Sequence, residues 1–168
     1  MFKQGDLVFY GTDGICKIGE ITTVDFSGVD KDRLFYVLYP QNSGGKIFIP
    51  VDTGSLKLRK LMSRDEAMEL ISKIKDLEPL QIEDEKKPDE TYKKALQTYD
   101  NQELLKMIKC IYLRKKKRLD KGLKVTAVDE KYMHMAENMI YQELGIALDI
   151  PKDQVIDYIT KYIEADNK

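Results

Sequence analysis

The sequence predicts two domains of different class, an all-β domain over residues 1–62 followed by an all-α domain over residues 63–168. Three observations predict it. Short β-favouring runs separated by turn residues fill the first 60 positions. At Ser63 the spacing of apolar residues changes to that of a helix and stays helical almost to the end of the chain. Strands and helices do not alternate, which argues against a parallel α/β layout.

The strands are expected at Leu7–Tyr10, Ile15–Val24, Leu34–Tyr39, Lys46–Pro50 and Leu56–Arg59. Gly5-Asp6, Thr12-Asp13-Gly14, Asn42-Ser43-Gly44-Gly45 and Asp52-Thr53-Gly54 supply the turn chemistry between them. Five short strands with such connections fit a closed or nearly closed five-stranded β-barrel better than an open sheet.

Ser63-Arg-Asp-Glu66 reads as a capping box ahead of a helix with Ala67, Leu70, Ile71 and Ile74 on one face. The segment 78–88 mixes prolines with acids around Leu80 and Ile82 and reads as a loop, so 63–88 is a linking helix and acidic loop. Three helices follow, from Pro88 or Asp89 to Thr98, Asn101 to Leu119, and Thr126 to Leu144. Asp100 with Glu103 and Thr126 with Asp129 signal helix starts, and Gly122 signals a stop. The middle helix shows an apolar stripe of Leu104, Leu105, Ile108, Ile111, Tyr112 and Leu119, and the next one a stripe of Val128, Tyr132, Met135, Met139, Ile140 and Leu144. These stripes predict a helical bundle over 89–144. A further helix, 151–165, with Val155, Ile156, Ile159, Tyr162 and Ile163 on one side, is expected to pack back on it.

The chain has 168 residues, 42% of them hydrophobic and 34% charged, enough for two small cores and a well solvated surface. No apolar stretch approaches the roughly 20 residues of a membrane span, and Lys3-Gln4-Gly5 after Phe2 lacks the apolar segment of a signal peptide. Cys16 and Cys110 lie far apart with no Cys-x-x-Cys pair, so two free thiols in a reducing cytoplasm are expected, with no disulfide and no metal.

The net charge of −1 hides segregation. Residues 1–60 carry eight Lys or Arg against seven Asp or Glu, 61–90 five against ten, 91–144 twelve against seven, and 145–168 three against five. Arg114, Lys115, Lys116, Lys117 and Arg118, extended by Lys121 and Lys124, put seven cations within eleven positions at a helix end and its turn. A helix C-terminus favours one or two cations, by about 0.3–1 kcal/mol each, but five in succession repel one another unless an anion relieves them. Phosphate contact of a salt-sensitive, sequence-independent kind fits this pattern, with Lys131, His134 and Asn138 on the next helix and Lys93 and Lys94 on the preceding one close by. Catalysis has little support. His134 is the only histidine, and there is no glycine loop for a phosphate, no nucleophile motif and no metal-ligand spacing, so no cofactor is expected.

Phe2, Lys3, Gly5, Asp6, Val8, Tyr10 and Gly14 follow one another as at the start of the CarD family of bacterial transcription factors, whose first module is shared with the transcription-repair coupling factor. Thr126-Ala-Val-Asp-Glu130-Lys131-Tyr-Met133, running on to Glu143-Leu144, resembles the last helix of the same family. The resemblance covers roughly residues 1–60 and 91–144. It implies a Tudor-like barrel that binds the RNA polymerase β subunit by strand addition, through Lys46, Ile47, Phe48, Ile49 and Pro50. Pro50 suits an edge or strand end, and Phe48 stands where many relatives have a basic residue. It also implies a helical domain that touches promoter DNA at the upstream edge of the bubble and shifts the balance of closed and open complexes, with Lys93 and Lys131 among the contacts. The family's Trp, four residues before Tyr92, is absent: Pro88 stands there, Glu90 and Thr91 replace a basic pair, and the chain has no Trp. A cytoplasmic, nucleoid-associated monomer is expected. Two other readings stay open, a polymerase-binding adaptor without bubble contact and an RNA- or ribosome-associated factor.

Overall fold

A computed structural model describes residues 1–54 and 58–166, and the chain divides into two compact units, Met1–Leu61 and Met62–Lys168. In the first unit β1 (Leu7–Tyr10), β2 (Gly14–Thr23), β3 (Leu34–Pro40), β4 (Ile47–Pro50) and β5 (Leu58–Lys60) form one antiparallel sheet in the order β4-β3-β2-β1-β5. The sheet is a half-barrel and not the closed or nearly closed barrel expected. Among the described residues no ladder joins β4 to β5, two strands of four and three residues that end the sheet on either side. The fifth strand was expected from Leu56; residues 55–57 lie outside the described ones, and the strand runs from Leu58.

Val8, Cys16, Ile18, Tyr36, Leu38, Ile49 and Leu58 form the sheet's core. The N-terminal residues are fastened to it one by one. The Tyr36 hydroxyl accepts from the Phe2 N–H at 3.2 Å, and the Phe2 ring meets the Tyr36 ring edge-on at 6.1 Å. Asp6 accepts from the Lys3 N–H at 2.8 Å, while the Gly5 N–H and Asp6 carbonyl both bond Ile18, at 2.7 and 2.9 Å. Gly5 makes that tight turn at φ +90°, a conformation that a Cβ strains. The Asp52-Thr53-Gly54 turn is the end of a short helix, α1 (Val51–Gly54), where Asp52 accepts from the Thr53 N–H and pairs with Arg33 at 3.0 Å.

The second unit holds α2 (Arg64–Ser72), α3 (Pro88–Gln97), α4 (Asn101–Asp120), α5 (Ala127–Leu148) and α6 (Val155–Asp166). The expected caps form: Ser63 and Glu66 make a reciprocal capping box, Asp100 accepts from the Gln102 and Glu103 N–H groups, and Thr126 accepts from the Asp129 N–H. One apolar cluster runs from Ala67 and Ile71 through Tyr92, Leu104, Met107, Ile111, Tyr132, Ile140 and Leu144 to Val155 and Ile159, so α6 packs back on the other helices as expected. The acidic loop is tied to α4, because Leu80 N–H donates to the Lys106 carbonyl and the Lys109 ammonium caps the carbonyls of Ile74, Lys75 and Leu77.

Five residues of the expected apolar faces are not core. Tyr112 and Leu119 on α4, and Val128 and Met135 on α5, are exposed, as is Ile156 on α6. On α4 the buried face passes through Leu104, Met107, Cys110 and Ile111, and its next turn is Arg114. On α5 it passes through Asp129, Tyr132, Ala136, Ile140 and Glu143. Leu104, Leu105, Ile111, Tyr132, Ile140 and Leu144 of the expected stripes are core, but polar and small side chains also occupy the core faces, so the buried face only partly coincides with the apolar stripe read from hydropathy. Among the described residues no helix is long and apolar enough to cross a membrane.

Candidate protein and nucleic-acid interfaces

The edge strand β4 pairs with β3 through Phe35↔Pro50, Tyr36↔Ile49, Val37↔Phe48 and Leu38↔Ile47. Its other side has no strand partner among the described residues. Side chains alternate as a half-buried strand requires. Ile49 is buried in the sheet core and offers only its main chain, whereas Phe48 is 38% exposed. Phe48 does not stand alone: the ring of Phe26, itself 48% exposed, meets it edge-on at 5.4 Å, and exposed Leu34 begins β3. Lys46, just before the strand, holds its ammonium 5.7 Å from the Tyr39 ring. An unpaired main-chain edge thus adjoins an exposed aromatic pair, a combination suited to receiving a strand from another protein. Phe26 escapes sequence reading because it sits in a polar turn, Asp25-Phe26-Ser27-Gly28, outside any periodic run.

The basic run on α4 does not form one surface. Successive residues turn about 100° around a helix, so five in a row point all round it. Arg114, Lys117, Arg118 and Lys121 recur on one face and line an open cleft of about 320 Å³ with Glu85 and Leu123. Lys115 turns instead to α5 and pairs with Glu130 at 2.9 Å. Lys116, Lys124 and Lys131 are exposed and do not line the cleft; the Lys131 ammonium lies 5.5 Å from the neighbouring Tyr132 ring. Lys93 is exposed on α3 and pairs loosely with Asp89 at 3.7 Å. Arg118 also closes the helix, its Nε donating to the Lys124 carbonyl at 2.7 Å, beside the Gly122 turn. His134 is exposed on α5.

Behind the cleft stands a buried polar network that the sequence does not announce. Asp129, fully buried, accepts from the Tyr92 hydroxyl at 2.7 Å and from Arg114 Nε at 3.2 Å, and Arg114 Nη1 donates outward to Glu85 at 2.6 Å. Burial, reinforced by the hydrogen bond to Asp129, pushes the Tyr92 hydroxyl far above the ordinary tyrosine range. Burial opposes charge on Arg114, but its bond to Glu85 and the neighbouring Tyr92 and Asp129 more than offset that and hold the guanidinium still more firmly protonated. Tyr92, fully buried against Tyr132 at 5.3 Å between ring centres, is a packing and hydrogen-bonding residue. Asp129 reads in the sequence as part of the cap begun by Thr126; its side chain instead turns inward.

Neither cysteine resembles a reactive site. Both thiols are buried; burial, then the charge of Asp13, pushes Cys16 up to about 11, and burial likewise raises Cys110. Among the described residues no group of His, Cys, Asp or Glu is placed to hold a metal ion.

Residues 2–62 match the family model of the CarD-like/TRCF RID domain. That match lends the first unit an RNA-polymerase-interacting role and the chain a transcription-related one. No curated protein matches the chain.

Proposed function

From a CarD-like RNA-polymerase-interacting domain in the first unit, we propose that this protein is a transcription regulator that docks on the polymerase β subunit through β4 and holds promoter DNA with the basic surface of α4 and α5. The observation that carries the reading is the edge of β4, unpaired among the described residues and flanked by the exposed Phe48–Phe26 pair. A lobe strand added there gains main-chain hydrogen bonds, while Phe48 and Phe26 bury apolar area against it. The helical unit contributes charge: exposed Lys116, Lys121, Lys124 and Lys131 give sequence-independent phosphate contacts near the melted region. Holding open DNA better than closed DNA shifts the promoter equilibrium by that difference in affinity alone, without covalent chemistry.

The test is capture of the isolated β-subunit lobe by the full chain, wild type against Phe48→Asp. Burial of a Phe stabilises by about 1.5–3 kcal/mol, so its loss together with a buried new charge predicts at least roughly tenfold weaker binding. A wild type that fails to bind the lobe sinks the reading.

A specific observation favours a second reading, an adaptor that binds polymerase and leaves the bubble alone: the chain has no Trp, and Tyr92, the nearest aromatic to the expected wedge, is fully buried. Forked promoter DNA separates the two. Loss of binding on joint replacement of Lys116, Lys121, Lys124 and Lys131 by Glu supports DNA contact, with a shallower salt dependence by about one per phosphate contact removed. Unchanged binding leaves the adaptor.

A further inference from the structure

The cleft on α4 is already occupied by a carboxylate of the same chain. Arg114, Lys117, Arg118 and Lys121 present four cations to it, and the one anion among the lining residues is Glu85, whose carboxylate lies 2.6 Å from Arg114 Nη1. Glu85 belongs to the acidic segment Glu83-Asp84-Glu85, which reaches α3 as well, through Glu83 and Lys94 at 3.7 Å.

Arg114 is held from behind and open in front. Its Nε is fixed by buried Asp129, whose other oxygen is fixed by the Tyr92 hydroxyl, so the outer part of the guanidinium is aimed into the cleft by two buried partners. A guanidinium held in this way is preorganised for a tetrahedral or planar oxyanion, since its parallel N–H donors match both. Glu85, by contrast, has a side chain 76% exposed, and the pair Glu83–Lys94 is exposed on both sides. Exposed ion pairs of this kind contribute little and exchange readily. Arg114 in the receiving half is held in place, and the carboxylate that fills the cleft stands exposed on its other side.

We propose that this cleft is a phosphodiester-binding site masked by the chain's own acidic segment, with the Glu85 carboxylate standing where a backbone phosphate binds. The proposal deepens the nucleic-acid reading above and rests on it. Binding then exchanges one carboxylate for one phosphate at Arg114 and brings Lys117, Arg118 and Lys121 to bear on the adjoining backbone. The acidic segment lowers affinity for any DNA that cannot displace it, and so favours backbone delivered at high local concentration by a docked polymerase.

The experiment measures fluorescence anisotropy of a short labelled duplex of arbitrary sequence with the full chain, comparing wild type, Glu85→Gln and Asp153→Asn. The last makes the same charge change at an exposed position outside the cleft. Glu85→Gln is expected to bind about fivefold tighter, the scale of one unit-charge repulsion at contact distance in water, and Asp153→Asn to stay close to wild type. Equal effects of the two substitutions, or none from Glu85→Gln, overturn the mask while leaving DNA binding in place. Absence of binding by all three proteins at low salt overturns both.

Discussion

Removing the hydroxyl of Tyr92 tests the buried network at its simplest point. Tyr92→Phe keeps the ring, and with it the contact with Tyr132, and deletes one hydrogen bond of 2.7 Å to a fully buried carboxylate. A hydrogen bond to a charged group contributes about 1.5–3 kcal/mol, and here the loss also strips buried Asp129 of a donor, so a cost of ~2 kcal/mol is expected. For a helical unit of this size that lowers the melting temperature by about 10 °C. Far-UV circular dichroism, which reports the helices, follows unfolding by heat and by urea. Alkaline pH supplies an independent check. An unfolded tyrosine ionises near pH 10, whereas Tyr92 in the folded protein is held neutral well above that, so its contribution is complete below about pH 10 and is lost as pH rises further. Wild type must therefore lose its advantage over Tyr92→Phe above about pH 10, by roughly 1.4 kcal/mol per pH unit. Tyr141, pushed up to about 12 by burial and then by Glu137, adds a slope of the same sign to both proteins and cancels in the comparison. A variant within about 0.5 kcal/mol of wild type at neutral pH, or a difference indifferent to alkaline pH, would refute the network as described.

Glu143 carries a second buried carboxylate, which accepts from the Met62 N–H at 2.8 Å and from the Asn101 amide at 3.1 Å. Glu143→Ala leaves both donors stranded and is expected to cost ~3 kcal/mol, with Glu143→Gln milder because it keeps the shape and one acceptor; urea midpoints rank the pair. Gly145→Ala should lower the melting temperature despite the better helix propensity of Ala, because the new Cβ would lie 2.9 Å from the Ile150 carbonyl oxygen, whose own N–H closes the helix end on Gly145. The expected loss is about 1–2 kcal/mol, and a higher melting temperature would show that the turn after α5 has room to move.

Both faces of the proposed function were partly legible in the residues. Phe2, Gly5 and Asp6 announced the first unit because each has a task suited to its own side chain or lack of one: a ring against Tyr36, a positive φ, a carboxylate that accepts from the Lys3 N–H. Helix starts at Ser63, Asp100 and Thr126 were readable for the same reason, since a cap is settled within four residues of chain. Lys46 to Pro50 was readable as a strand, and Pro50 as a strand end, but the aromatic partner of Phe48 comes from a turn over twenty residues earlier in the chain.

What the sequence determined by itself is local: the β-then-α order, the helix starts at Ser63, Asp100 and Thr126, the concentration of cations at the end of α4 and the absence of Trp, whereas α5 runs on to Leu148 beyond the expected Leu144 and α6 begins at Val155 and not at Pro151. Which cations act together was decided only by tertiary structure. Arg114 became a fixed guanidinium because Asp129 on α5 and Tyr92 on α3 converge on it, and Lys115 was drawn aside by Glu130, while Lys117, Arg118 and Lys121 kept a common face with Glu85. The physical reason is range. Capping and turn chemistry act over a few residues, whereas the orientation of a buried charge depends on whichever partners the packed helices bring against it.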